Sequence, residues 1–259
     1  MAYILSDALI LVLSIFITMH YLKNNHYFNF IKKIKINFNH FLNILKLGLP
    51  VMFGMFGQKF IFYLYINFAS SLGTVQASSF IIINSCIYFL QIPLLGIAHL
   101  MTIKISQSRN DISSELNKFF FQCFKLLVIE VLIMGLILIF LNRYIFQIFS
   151  NDYQVMQVII TLKWEVLLFF LMNVSLTFSM SCLRGYSDTF TPQIIVLTWL
   201  TAGFFTNNII FNDAIDISRM SVIFSISGLI ASYILIMRIV KFKKQKFTNR
   251  IMSENFIKV

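Results

Sequence analysis

Apolar stretches of 18 or more residues recur along nearly the whole chain, separated by short polar segments. Wound as an α-helix, a stretch of that length crosses a hydrocarbon core of about 30 Å. Seven such spans are predicted: Ala2–Leu22, Leu47–Ala69, Ala77–Ile103, Phe119–Leu141, Val158–Leu183, Gln193–Phe211 and Met220–Val240. Three Pro and nine Gly are all that interrupt them, which favours helices over the short alternating segments of a membrane β-barrel. The first run lacks the basic start, short apolar core and small-residue cleavage site of a secretory signal, so it reads as a retained span. The predicted fold is an all-α, polytopic membrane helix bundle of about seven transmembrane helices.

The polar segments carry the topology. A basic linker, residues 23–46, holds Lys23, Lys32, Lys33, Lys35 and Lys46 and no acid. A turn at Ser70–Gln76 contains Gly73, and the polar loop Lys104–Lys118 ends in a stretch, Asn110–Glu115, that offers an N-cap for the next helix. Asn142–Gln157 reads as a polar link, Arg184–Pro192 as a turn, and residues 241–259 as a basic tail. Alternate segments differ sharply: 15 Lys and Arg fall on one side, against Arg143 and Arg219 on the other. Basic loops stay in the cytoplasm, so the amino terminus is expected outside and the tail inside.

Composition agrees with the pattern. Of 259 residues, 58% are hydrophobic and 12% charged, with a mean hydropathy of +0.81. A soluble domain averages about 45–50% apolar and about 25% charged. Phe, Ile and Asn are abundant and Ala and Gly scarce, as AT-rich codon drift would give, which leaves helix surfaces bulkier than small-residue packing prefers. The net charge of +11 is mostly the loop asymmetry, and no aromatic–basic module accompanies it, so no nucleic acid partner is expected. The tail suits anionic lipid, at about 1 kcal/mol per basic residue. Cys86, Cys123 and Cys182 lie in or beside spans and suit free apolar thiols. The four His show no metal-ligand spacing, and no nucleophile–base set, P-loop or Gly-rich dinucleotide motif is visible. Neither an enzyme, a metal nor a cofactor is expected.

Three segments resemble the carboxyl-terminal half of a multidrug and toxic compound extrusion (MATE) transporter. Leu45-Lys46-Leu47-Gly48-Leu49-Pro50 enters a span that ends at Leu72-Gly73-Thr74. The third span carries Asn84 and Pro93 and is followed by Gln107. Leu183-Arg184-Gly185-Tyr186-Ser187-Asp188-Thr189-Phe190-Thr191-Pro192 is close to the family turn L-R-G-x-G-D-T-x-x-P. The resemblance covers about residues 1–240. In that family twelve helices form two six-helix lobes around a substrate cavity. Residues 1–22 are thereby matched to family helix six and residues 47–240 to the six-helix second lobe.

The resemblance implies a bacterial inner-membrane exporter of organic cations or amphiphilic drugs, by antiport against H+ or Na+. It implies a first lobe supplied by another chain or a second copy. A non-transporting remnant or structural subunit is the alternative, and a lipid-linked polysaccharide flippase of the same wider group is a third reading. Relatives carry Glu where this chain has Gln58, Asp where it has Asn173 and Gln where it has Phe80. Gln58, Asn84, Asn173 and Phe80 are the expected substrate contacts, but Gln58 and Asn173, which stand where relatives carry acids, cannot exchange a proton. Pro50, Pro93, Arg184, Gly185, Asp188 and Pro192 are expected to shape helices: Pro50 at a helix start, Pro93 as a mid-span kink, Asp188 and Pro192 around a tight turn.

Charges inside spans are costly and mark function by default. Glu130, mid-way along the fourth span, and Asp7, in the first, are the ion-coupling candidates. Pairing of Glu130 with Lys59 is the structural alternative. Lys163 and Glu165 read as interfacial.

Overall fold

The computed structural model describes residues 9, 12–17, 19–20, 38–107, 114–210 and 217–257. The chain divides into two compact units, Met1–Lys46 and Leu47–Val259. In the first unit Leu9, Val12–Ile17, Met19 and His20 are helical, whereas Asp7 and residues 23–37 of the basic linker lie outside the described residues.

Every described element is a helix: α1 (Phe38–Leu72), α2 (Thr74–Leu90), α3 (Ile92–Gln107), α4 (Ser114–Phe140), α5 (Asn142–Gln147), α6 (Tyr153–Thr161), α7 (Lys163–Gly185), α8 (Phe190–Ile210) and α9 (Ile217–Ile257). Among the described residues four stretches are long and apolar enough to cross a membrane, in α1, α4, α7 and α9, and α2 with α3 makes a fifth if that bent pair is one span. The sequence predicted seven. The first falls largely outside the described residues. The sixth is α8, where the side chains of Asn208 and Ile210 lie outside the described residues.

Four boundaries differ from the sequence reading. Helix α1 starts at Phe38, so Pro50 sits inside it rather than at a helix start. Pro50 removes the bond to the Lys46 carbonyl, which is tolerated where flanking polar groups can satisfy that carbonyl. The Asn142–Gln157 link is largely helical, because the Asp152 side chain caps α6 by accepting from the Gln154 N–H at 2.8 Å. The fifth span accordingly begins at Lys163, and Val158–Thr161 belongs to α6. Residues 241–257 of the tail continue α9 as helix.

Two breaks are where the residues demanded them. Gly73, at φ 138°, separates α1 from α2 in a single residue, a conformation that only Gly adopts without strain. The axis bends 53° between α2 and α3, at Gln91, two residues before Pro93. Pro93 cannot bond the Phe89 carbonyl, and its ring clashes there with a straight helix.

Helix α7 is the centre of the second unit, packed by α3, α4 and α9, while α8 packs on α9 and α6 on α2. Close approach is made by small residues. Thr102 Oγ1 donates to the Ser181 carbonyl at 2.8 Å, tying α3 to α7. A Cβ on Gly185 would lie 2.7 Å from Ile105 Cβ and 3.0 Å from the Thr102 carbonyl oxygen, so only Gly permits that crossing. Cys86, Cys123 and Cys182 are free and buried.

Candidate functional site

Six helices line a cavity of about 390 Å³, and four of them bring most of its residues. Each of these four contributes residues at helical spacing. Met55, Gln58, Lys59 and Phe62 come from α1; Asn84 and Tyr88 from α2; Leu95, Ala98 and His99 from α3; and Asn173, Thr177, Met180, Ser181 and Arg184 from α7. Steps of three and four residues return to one face of a helix, so each set is a single stripe. Phe169, Met172, Leu176, Leu200 and Phe224 complete an apolar wall.

Gln58, Asn84 and Asn173 are therefore neighbours on one cavity, although up to 115 positions separate them in sequence. Gln58 Nε2 donates to Gln193 Oε1 at 3.0 Å, and Gln193 is itself buried on α8. Asn173 Nδ2 donates to the Phe169 carbonyl at 2.9 Å. Each amide keeps an acceptor oxygen and a second N–H for a ligand.

Phe80, expected as a substrate contact, stands behind the wall. It is 1% exposed, stacked on Phe62 at 5.2 Å and on Phe169 at 6.1 Å, with Phe224 edge-on. The ring is held between aromatic faces and reaches no open space. It packs against three of the rings that do line the cavity.

Glu130 is elsewhere. It is 8% exposed on α4, beside the start of α3, and faces the Leu94 backbone N–H without either carboxylate oxygen reaching hydrogen-bond geometry. The pairing with Lys59 is corrected: the Lys59 ammonium lies 4.7 Å from the centre of the Tyr88 ring, within the cavity wall. The reason is geometric. Lys59 and Glu130 stand on different faces, one lining the cavity and the other buried where α2 bends into α3. Gln91, at that bend, is 2% exposed and its Nε2 also lacks a partner.

Sequence reasoning treated Arg184 as a turn residue. Its Nε is buried, has no hydrogen-bond partner among the described residues, and belongs to a side chain on the cavity wall. The signal was available: Arg184 follows Asn173 by eleven residues, close to three helical turns. The turn itself is built by backbone. Asp188 N–H donates to the Leu183 carbonyl at 3.0 Å and Ser187 N–H to the Arg184 carbonyl at 2.9 Å, with Ser187 at φ 63°. This is a Schellman cap, with Ser where glycine is usual. Asp188 then pairs with Arg238 on α9, whose Nη2 also donates to Thr191 Oγ1 at 3.0 Å. Pro192 stands in the first turn of α8, where its missing N–H costs no helical bond.

At the far end of α7, Ser218 Oγ donates to Glu165 Oε1 at 2.5 Å, and the Lys163 ammonium lies over the Trp164 ring.

The MatE family model matches residues 50–212, more than half of the chain and including the residues that build the cavity up to Leu200. No curated protein and no solved structure matches it.

Proposed function

The chain belongs to the MatE family, whose members are membrane transporters rather than enzymes, and on that premise we propose that it moves amphiphilic small molecules across a bacterial cell membrane. The cavity is the substrate site. Its size supports this reading, since ligand pockets for drug-sized molecules run from about 300 to 1,000 Å³ and are mostly apolar with a few polar groups. The observation that carries it is the convergence of Gln58, Asn84 and Asn173 on one apolar cavity.

Transport is antiport against H+ or Na+, with Glu130 as the coupling carboxylate. A buried carboxylate with no side-chain partner among the described residues, beside a bend in the neighbouring helix, is placed to take a proton or cation and to change that bend. The basic loops and the tail face the cytoplasm.

Efflux of an amphiphilic dye from cells expressing the chain tests the reading, followed against external pH and sodium. Gln58→Ala and Asn173→Ala weaken apparent affinity and leave the pH dependence in place, because neither side chain titrates. Glu130→Gln abolishes the ion dependence while the protein still folds. Efflux no greater than in cells without the chain overturns the transport reading, and a pH profile moved by Gln58→Ala moves coupling into the cavity.

A further inference from the structure

The charge on the cavity wall runs against what the resemblance implies. Lys59, Arg184 and His99 line it, and no Asp or Glu does among the described residues. A site for organic cations would be expected to hold a carboxylate, or to leave cations out. Two features show that Lys59 and Arg184 meet no counter-charge among the described residues. The Lys59 ammonium has a ring face rather than an anion as its neighbour, at 4.7 Å. Arg184 Nε is buried without any acceptor. Among the described residues, the carboxylates on the helices that line the cavity or pack on them are engaged or turned elsewhere: Asp188 on Arg238, Glu165 on Ser218 at the far end of α7, and Glu130 beside the α2–α3 bend. Basic groups held inside membrane spans without a counter-charge are costly, and are kept where a ligand supplies the charge.

We infer that the cavity takes an amphiphile with an anionic head group: a phosphate, sulfonate or carboxylate against Lys59 and Arg184, with an apolar tail along Phe62, Met172 and Phe224. This rests on the cavity being the substrate site. Arg184 offers the planar N–H fork that suits an oxyanion, Lys59 a point charge, and His99 a ring N–H. The head group is recognised by charge-assisted hydrogen bonds, and the tail by apolar area.

The full chain in phosphatidylcholine nanodiscs, titrated calorimetrically with hexyl phosphate, hexyltrimethylammonium and neutral hexyl glucoside against empty nanodiscs, tests this. Hexyl phosphate is expected to bind at least about tenfold more tightly than the ammonium, roughly one charge-assisted hydrogen bond's worth. Lys59→Met should remove most of that preference and Lys59→Glu should reverse it; Lys59 is exposed, and a reversed preference itself reports a folded cavity. Equal or tighter binding of the ammonium by the unmodified chain overturns the inference while leaving the cavity as a substrate site. A phosphate preference that survives Lys59→Glu also overturns it. If none of the three probes saturates, the cavity reading fails and the inference fails with it. Phosphatidylglycerol doped into the nanodiscs separates the sources. Displacement of hexyl phosphate by that lipid identifies a lipid head group, and undiminished binding identifies a soluble anion.

Discussion

Helices α1 and α7 are both long, apolar and Phe-rich, and both line the cavity, yet they occupy opposite situations. In their most apolar stretches 11% of the α1 span is buried, against 67% of α7. Helix α7 meets protein on almost every side, through small residues such as Ser179, Ser181, Cys182 and Gly185. Helix α1 buries one stripe, Gly54, Ile61, Tyr65 and Ala69, and exposes Phe53, Phe56, Phe60 and Tyr63 on the other. In water that exposed face would have to be polar. In lipid it need not be, because acyl chains are as apolar as leucine. Apolarity says that a helix enters the membrane, and residue size says whether it meets another helix there.

The comparison breaks most readily at Gly185. Gly185→Val forces branched atoms into Ile105 and the Thr102 carbonyl, and should cost about 3 kcal/mol or more, at the top of the range for overpacking. Reversible unfolding of the purified chain in mixed micelles measures it. A cost below about 1 kcal/mol would mean that α3 and α7 are not held as closely as described.

The next effect lies where α7 hands over to α8. Asp188 is 11% exposed and Arg238 36%, so Arg238→Met leaves a mostly buried carboxylate unpaired. A loss of about 1–2 kcal/mol is expected, between the values for exposed pairs and for stranded buried charges. Asp188→Asn combined with Arg238→Met should cost less than the two single losses added together. Strict additivity would remove the pair as the tie between the turn and α9.

Ser187 sharpens the same region in the opposite direction. At φ 63° a non-Gly residue is strained by roughly 1 kcal/mol, so Ser187→Gly should stabilise by up to about that amount, less whatever its side chain contributes. Destabilisation in the same unfolding assay would show that the Ser side chain, and not the backbone, holds the cap.

The smallest effect belongs to α1. Phe56, 71% exposed, should change the stability of the chain by less than about 0.5 kcal/mol when replaced by Ala in detergent. A loss comparable with Gly185→Val would place that face against protein.

The cavity was partly legible beforehand. Gln58, Asn84 and Asn173 could be singled out because motif spacing fixed their places, and helical periodicity would have added Lys59, Thr177 and Arg184 to the same stripes. Phe80 could not be separated from the wall in that way. Whether a ring lines a cavity or backs it depends on the rings of three other helices or faces: Phe62, Phe169 and Phe224. The helices α5 and α6 were missed for a simpler reason. A short amphipathic helix resembles a polar loop in hydropathy, although Asp152 before Tyr153 was a cap signal in plain view.

The amino-acid sequence by itself determined the solvent and the class of fold. Runs of apolar residues longer than a bilayer is thick must be helical in lipid, since every backbone N–H and C=O needs a partner within its own segment. It also determined the local breaks at Gly73, Pro93 and the Arg184–Pro192 turn, because those depend on the φ freedom or missing donor of one or two residues. The tertiary structure decided which apolar faces meet protein, which polar residues share a cavity, and which charges pair. Hydropathy is the same on a lipid-facing and a helix-facing surface. Pairs such as Asp188 with Arg238, or Gln58 with Gln193, join residues 50 and 135 positions apart and exist only once the helices are side by side.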